Sequence, residues 1–229
     1  MRSMIFDTGP IISLTLNNLT WILEPLKQRF RGNFLITNAI KNELVDKPLK
    51  TKRFEFEALQ TLRHINKGTL EIIDNDDIEK KTLQLLDLAN NSYKAKGNYI
   101  QITHIGEMSG VAACLYLKNY TFAIDERTLR LLIEDPHKLK NILEHRLHTK
   151  VEINRTNLKR LNEITKDIRL IRSVELVTIA FELGLLDDYI PSLPDGKRIL
   201  LESLLWGVKL DGCSVSKREI KEIMRIEKL

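Results

Sequence analysis

Short apolar runs alternate with longer amphipathic stretches along the first two thirds of the chain. Ser3-Met-Ile-Phe-Asp7 is an apolar run that closes on an acid and predicts a buried first strand. Thr8-Gly9-Pro10 supplies a tight turn with Pro near a helix start, and Ile11, Ile12, Leu14 and Leu16 carry that helix on. Residues 19–30 read as a further helix, and Gly32-Asn33 breaks the chain before a second strand at Phe34-Leu-Ile-Thr37. Asn38 is expected to cap a short helix that holds Ile40, Glu43 and Leu44 and ends before Pro48. Helical periodicity follows over 51–66, with Gly68 as its stop, then a third strand at 70–73. Residues 77–96 form an amphipathic helix expected to stop at Gly97, and 107–117 a helix with Ala112 and Ala113 on one small-residue face. A fourth strand is expected at 120–124, again followed by an acid, Asp125, with a helix over 126–134 and another opened by Pro136.

This alternation predicts an α/β fold: a mostly parallel sheet with helices on both faces, in three layers. After about residue 150 the strand signal fades. Helices are expected at 156–165, 174–183, 198–207 and 216–226, with Pro191, Pro194 and Gly196 between the second and third. Without a repeat or a Gly/Ser linker, this tail is expected to pack on the α/β unit.

Composition narrows the class. The 229 residues include 36 Lys+Arg against 31 Asp+Glu, a formal charge of +5, and 43% are hydrophobic. That balance fits a soluble globular chain and excludes collagenous, disulfide-framed and disordered classes. Cys114 and Cys213 form no C-x-x-C pair, which argues against a zinc knuckle or a thioredoxin motif and fits a reducing cytoplasm. No apolar run reaches the ~20 residues of a membrane span, and Asp7 interrupts any secretory h-region. A cytoplasmic chain with no membrane partner is therefore expected. The net charge permits a nucleic-acid partner without establishing one.

The chemistry lies in where acids fall. In an open parallel sheet, ligands bind beyond the carboxyl ends of the strands. Asp7 and Asp125 both follow strands, Glu43 sits early in the helix after the second strand, and Glu107 opens the small-residue helix. If the first, second and fourth strands are neighbours, these four acids converge. One such acid also serves well as a helix cap; four at the same edge are less easily accidental. Converging carboxylates repel unless cations sit between them, and oxygen-only ligands suit Mg²⁺ or Mn²⁺ better than zinc.

With its neighbours, each acid belongs to a motif. The segments Met4-Ile-Phe-Asp7-Thr-Gly-Pro-Ile-Ile-Ser-Leu14, Leu35-Ile-Thr-Asn-Ala-Ile-Lys-Asn-Glu43-Leu, Gly106-Glu107-Met-Ser-Gly-Val-Ala-Ala and Phe122-Ala-Ile-Asp125-Glu-Arg127 resemble a PIN domain in order and spacing. The resemblance covers residues 1 to about 135 and implies a PIN-like nuclease domain over 1–135 with a helical extension over 136–229. It further implies a metal-dependent endoribonuclease acting on single-stranded RNA, often the toxin of a toxin–antitoxin pair. An antitoxin protein is then a possible partner, and a homodimer is left open. Residue by residue, Asp7, Glu43, Glu107 and Asp125 match the family's acidic quartet, and Thr8 the hydroxyl that follows its first Asp. The resemblance gives Asp7, Glu107 and Asp125 the role of holding one or two Mg²⁺ or Mn²⁺ ions. Glu43 would ligate or orient water, and Glu126 would be a peripheral ligand. Ser109 stands where many relatives carry an acid, which weakens a second metal position.

Other motifs are weaker. Asp7-Thr-Gly lacks the second Asp of a haloacid-dehalogenase nucleophile, and no acidic pair precedes it as in a receiver domain. His145 and His148 have helical ligand spacing, with His137 upstream, but nothing nearby completes a tetrahedral set. His104, just before Glu107, is in reach of a substrate, though a loop histidine needs no role. Gly106 and Gly110 form no phosphate loop, because no Lys-Ser/Thr follows. Ser216 and Glu219 have capping-box spacing in a helix that could also be the second of a helix-turn-helix; Trp206 and Leu210 read as core or as the seat of a partner. Residues 137–172 carry ten Lys/Arg against four acids, a net +6, and no aromatic residue. Such a run is either a solvated face or a guide for an RNA backbone through Lys138, Lys140, Arg155, Lys159 and Arg160, with Thr8 and Arg127 as further nucleic-acid-binding candidates outside it. The alternatives to a ribonuclease are a PIN scaffold that binds RNA or a protein without turnover, and a DNA-directed, structure-specific nuclease.

Overall fold

A computed structural model describes residues 2–118 and 121–229. Five of the described strands, β1 (Ser3–Phe6), β2 (Asn33–Thr37), β3 (Glu71–Ile73), β6 (Thr121–Ala123) and β8 (Arg169–Ile171), form one parallel sheet in the order β3-β2-β1-β6-β8. Tyr120, the expected start of the fourth strand, lies outside the described residues.

Alternation of side chains across the pleat gives the sheet two buried faces. Met4 and Phe6 of β1, Phe34 and Ile36 of β2 and Ala123 of β6 enter one core. Ile5, Leu35 and Phe122 enter the other. The first core is closed by α1 (Thr8–Leu16), α2 (Leu23–Phe30), α5 (Glu55–Asn66), α11 (Ser173–Glu182), α12 (Gly196–Leu210) and α13 (Lys217–Ile226). The second is closed by α6 (Asp76–Asn90), α7 (Ile105–Tyr116), α8 (Arg127–Glu134), α9 (Pro136–Leu147) and α10 (Arg155–Thr165). The result is the three-layer α/β/α arrangement expected. Among the described residues no helix is long and apolar enough to cross a membrane.

Several local expectations are corrected. The helix after β2 is capped by Thr37, whose hydroxyl accepts from Ile40 N at 3.3 Å, and Asn38 is its first residue. It also runs past Pro48, as α3 (Asn38–Lys41), a π-helical turn (Asn42–Asp46) and α4 (Lys47–Thr51). Proline in the first turn of α4 needs no hydrogen bond of its own, and the widened turn before it absorbs the change in register. The helix expected over 51–66 starts only at Glu55, since Lys52 and Phe54 take left-handed backbone with φ of 61°. Helix α6 stops at Asn90, and residues 93–99 form a hairpin of β4 (Tyr93–Ala95) and β5 (Asn98–Tyr99). Lys96 (φ 50°) and Gly97 (φ 84°) both have the positive φ that a tight hairpin turn demands. Gly97 is thus a turn residue rather than a helix stop.

Strands also occur beyond residue 150, where none were expected. β7 (Val151–Ile153) joins β4 in a small antiparallel sheet, and β8 adds the outer strand of the main sheet beside β6. The stretch read as a helical extension therefore supplies a strand of the central sheet. It also supplies Val174, Val177, Leu201 and Leu205 to the first core. Trp206 packs against that core, whereas Leu210 is 76% exposed. The capping box of α13 is formed: Ser216 Oγ accepts from Glu219 N at 3.1 Å and Glu219 Oε2 from Ser216 N at 2.8 Å.

A fragment ending at residue 135 would expose one sheet edge and half of a core. It should show no cooperative urea transition and should bind a hydrophobic dye; a transition as sharp as the full chain's would contradict this continuity.

Candidate active site at the carboxyl edge of the sheet

The strand order reverses direction between β1 and β6, because the chain lays β2 and β3 on one side of β1 and later strands on the other. The crevice at such a switch point, beyond the carboxyl ends of the strands, is where open α/β sheets bind ligands. Asp7 sits there. Its N–H donates to Ala123 O at 2.9 Å, so the residue is held in the β1–β6 ladder while its side chain leaves the sheet.

Asp7 is 2% exposed, and its Oδ1 is buried with no hydrogen-bond partner. Burial pushes its carboxyl up to about 7, and the charges of Glu107 and Glu43 push the same way. The backbone N–H groups of Thr8 and Gly9, at the start of α1, pull it back only in part. Glu107 stands in the first turn of α7, where it accepts from the Thr103 hydroxyl and from His104 N, the latter at 3.1 Å. Burial raises the Glu107 carboxyl above its ordinary value, those two hydrogen bonds oppose the rise, and Glu126 adds to it. Glu43 lies in the π-helical turn. A Cβ on Gly106 would come within 2.7 Å of its Oε1, so the bare backbone of α7 lets this carboxylate reach the helix start. Burial and Glu107 raise Glu43 as well, while Lys47 and His104 lower it.

The structure thus couples Asp7, Glu43 and Glu107, and none of the three has an ion-pairing Lys or Arg among the described residues. Asp125 is placed differently. It is 2% exposed, and both of its oxygens are taken: Oδ2 accepts from Ser13 Oγ and Ser173 Oγ, each at 2.7 Å, and Oδ1 from Ser173 N at 2.7 Å. Its backbone oxygen accepts from Ser214 N at 3.1 Å. Asp125 joins α1, the start of α11 and the loop before α13, and the thiol of Cys213 beside it is pushed up to about 12 by burial and by that carboxylate. Ser13 and Ser173 are not among the expected site residues, and Cys213 reads from the sequence only as a free cysteine. A serine inside the apolar run Ile11-Ile-Ser-Leu was the available signal.

The remaining residues fall into place around these. Glu126 caps α8 by accepting from Leu129 N at 2.7 Å, and it stays close enough to act on Glu107. Thr8 opens α1 next to Asp7. Ser109 is buried, bonded to Thr37 Oγ1 and Gly106 O at 2.6 Å each, and so is held toward the end of β2. Exposed His104 has its Nδ1 3.0 Å from Gln101 Nε2. The rings of His145 and His148 lie 6.2 Å apart. Arg127 and Lys138 line one surface concavity, while Lys140, Arg155 and Lys159 line another; Arg160 is exposed and lines neither.

Uncompensated oxygen donors and an orphaned buried carboxylate oxygen match a hard divalent cation in charge and donor type. Among the described residues, no three His, Cys, Asp or Glu side chains are close enough to share an ion. The fit is one of chemistry, carried by Asp7, Glu43 and Glu107, without a finished cage. Compared with known protein families and with curated proteins, the chain matches none.

An acid whose folded-state pKa lies above its unfolded value favours folding less and less as pH rises between the two. For Asp7 that window runs from about 4 to about 7. Asp7→Asn should therefore be more stable than wild type at pH 8, by on the order of 4 kcal/mol, with the gain shrinking toward pH 4. Urea unfolding at both pH values measures it, and a pH-independent difference would contradict it.

Proposed function

We propose that the chain is a divalent-cation-dependent endoribonuclease of PIN type that hydrolyses phosphodiester bonds in single-stranded RNA. The observation that carries this reading is the buried Asp7 carboxylate, with one oxygen unpartnered, beside Glu107 and Glu43 at the switch point of the sheet. Asp7, Glu107 and Glu43, which would have to draw closer together to share an ion, would hold Mg²⁺ or Mn²⁺, which would supply positive charge against the phosphate and make water more acidic.

The protein's own groups do the rest. Thr103 and the His104 N–H fix the orientation of Glu107. Glu43 is the most exposed of the three acids, and its raised affinity for protons suits it to take one from the attacking water. The first N–H groups of α1, those of Thr8 and Gly9, hydrogen-bond Asp7 and favour its ionised form. Asp125 serves as a positioning residue, holding α1 against α11 so that Asp7 stays where β1 puts it. Cytoplasmic action agrees with two free, buried cysteines, and an antitoxin protein is the partner that the resemblance adds.

A second reading, a PIN scaffold that binds RNA without turnover, draws on the engagement of Asp125 and on Ser109 standing where an acid would strengthen the site. Labelled single-stranded RNA with Mn²⁺ separates the two. Wild type should cleave it in preference to single-stranded DNA of the same sequence, and Asp7→Asn and Glu107→Gln should each lose roughly 100-fold or more. Equal rates in all three proteins would sink the assignment. Binding without cleavage by any would favour the scaffold, and preference for DNA would favour a DNA-directed nuclease.

A further inference from the structure

The basic stretch 137–172 is not spread evenly over the surface. Helices α9 and α10 and strand β7 enclose a concavity of about 960 Å³. His137 and Lys140 line it from α9 and Arg155 and Lys159 from α10, with Glu152 of β7 the one acid in its wall. Three permanent positive charges and a histidine from two separate helices therefore face one space against a single carboxylate.

Existing neighbours neutralise them only in part. Lys140 pairs with Glu144 at 2.9 Å, Lys159 reaches Glu163 only at 3.9 Å, and Arg155 has no ion pair among the described residues. The Lys159–Glu163 pair is well exposed, so it contributes little and remains open to exchange. The placement also costs stability. Arg155 lies in the first turn of α10, the positive end of that helix, whose cap is the neutral Asn154; at the start of α9 the Asp135 cap, accepting from Lys138 N at 2.9 Å, offsets Lys138. A cation at a helix N-terminus is unfavourable, because it meets the positive end of the helix dipole. A cation kept at such a place, in the wall of a concavity, is what a site for an anionic ligand leaves behind.

We infer that this concavity binds the sugar-phosphate backbone of single-stranded RNA, as an exosite distinct from the acidic crevice. It rests on the ribonuclease reading only for the identity of the polyanion. The wall has no Phe, Tyr or Trp on which a base could stack, so recognition there is mainly by charge. The acids of the crevice repel the same backbone. An exosite supplies the attraction that the crevice lacks, and it does so with side chains that take no part in bond cleavage.

Binding of a labelled oligouridylate, followed by fluorescence anisotropy in EDTA, tests this without any turnover. Arg155 and Lys159 are exposed, so the double reversal Arg155→Glu/Lys159→Glu should fold normally. It should weaken binding roughly tenfold or more and flatten the plot of log affinity against log salt by about 1.4, at ~0.7 per lost phosphate contact. The control Lys221→Glu/Arg225→Glu carries the same charge change on exposed positions of α13 and should bind like wild type. If the reversal perturbs folding, Arg155→Ala/Lys159→Ala gives the same reading with a smaller loss. Unchanged binding in the groove variants, or an equal loss in the control, would overturn the exosite. Wild-type binding that inorganic phosphate abolishes as readily as competing RNA would overturn its assignment to a polymer. Since no cleavage is measured, failure of the nuclease assignment would leave these outcomes intact, and the reverse also holds.

Discussion

Burying a carboxylate with one oxygen left unpartnered is costly, and Asp7 is buried in that way at the point where the strand order reverses. Its backbone is locked into the β1–β6 ladder by the bond to Ala123, so the side chain cannot retreat to water without breaking the sheet. Its neighbours make matters worse, since Glu107 and Glu43 both raise its affinity for a proton. Stability alone would replace this group with a neutral or apolar one. Its presence, among oxygen donors that lack counter-charges, is the physical case for a site that waits for positive charge.

The rest of the molecule is arranged to keep that group in place. Asp125, which sequence position alone puts beside Asp7, spends its oxygens on Ser13 and Ser173 and ties the first helix to α11. Arg172, just before Ser173, binds Glu175 and, at 2.8 Å, Glu219, so α13 is drawn to the same place. Burial raises the Glu219 carboxyl, but the bonds from Ser216 and Arg172 outweigh it and hold the group down at about 2. The C-terminal helices are thus part of the scaffold of the candidate site.

The architecture was legible where one residue pattern decided the outcome. Met4-Ile-Phe6 and Phe34-Leu-Ile36 are buried on both faces, and uninterrupted apolar runs of that length announce interior strands. The acids at the strand ends were equally visible. What escaped depends on partners remote in sequence. Arg169-Leu-Ile171 is too short and too polar to declare itself, and it becomes a strand because β6 has a free edge. The hairpin at 93–99 hides behind a helix-like pattern that gives way only where Lys96 and Gly97 take positive φ. The direction of Asp125 is set by a serine 112 positions before it and another 48 after it, a relation that no local window contains.

Charge is partitioned in keeping with this picture, with acids at the edge of the sheet and a basic concavity between α9 and α10. The central claim is that Asp7, with Glu107 and Glu43, holds a divalent cation while Asp125 holds the scaffold. Titration of Mn²⁺ into the full-length protein at pH 7.5, followed by the loss of the free-ion electron paramagnetic resonance signal, addresses it most directly. Saturable binding should fall at least roughly tenfold in Asp7→Asn and persist in Asp125→Asn that remains folded by circular dichroism. No saturable binding by wild type, or a loss in folded Asp125→Asn that equals the loss in Asp7→Asn, would contradict the account.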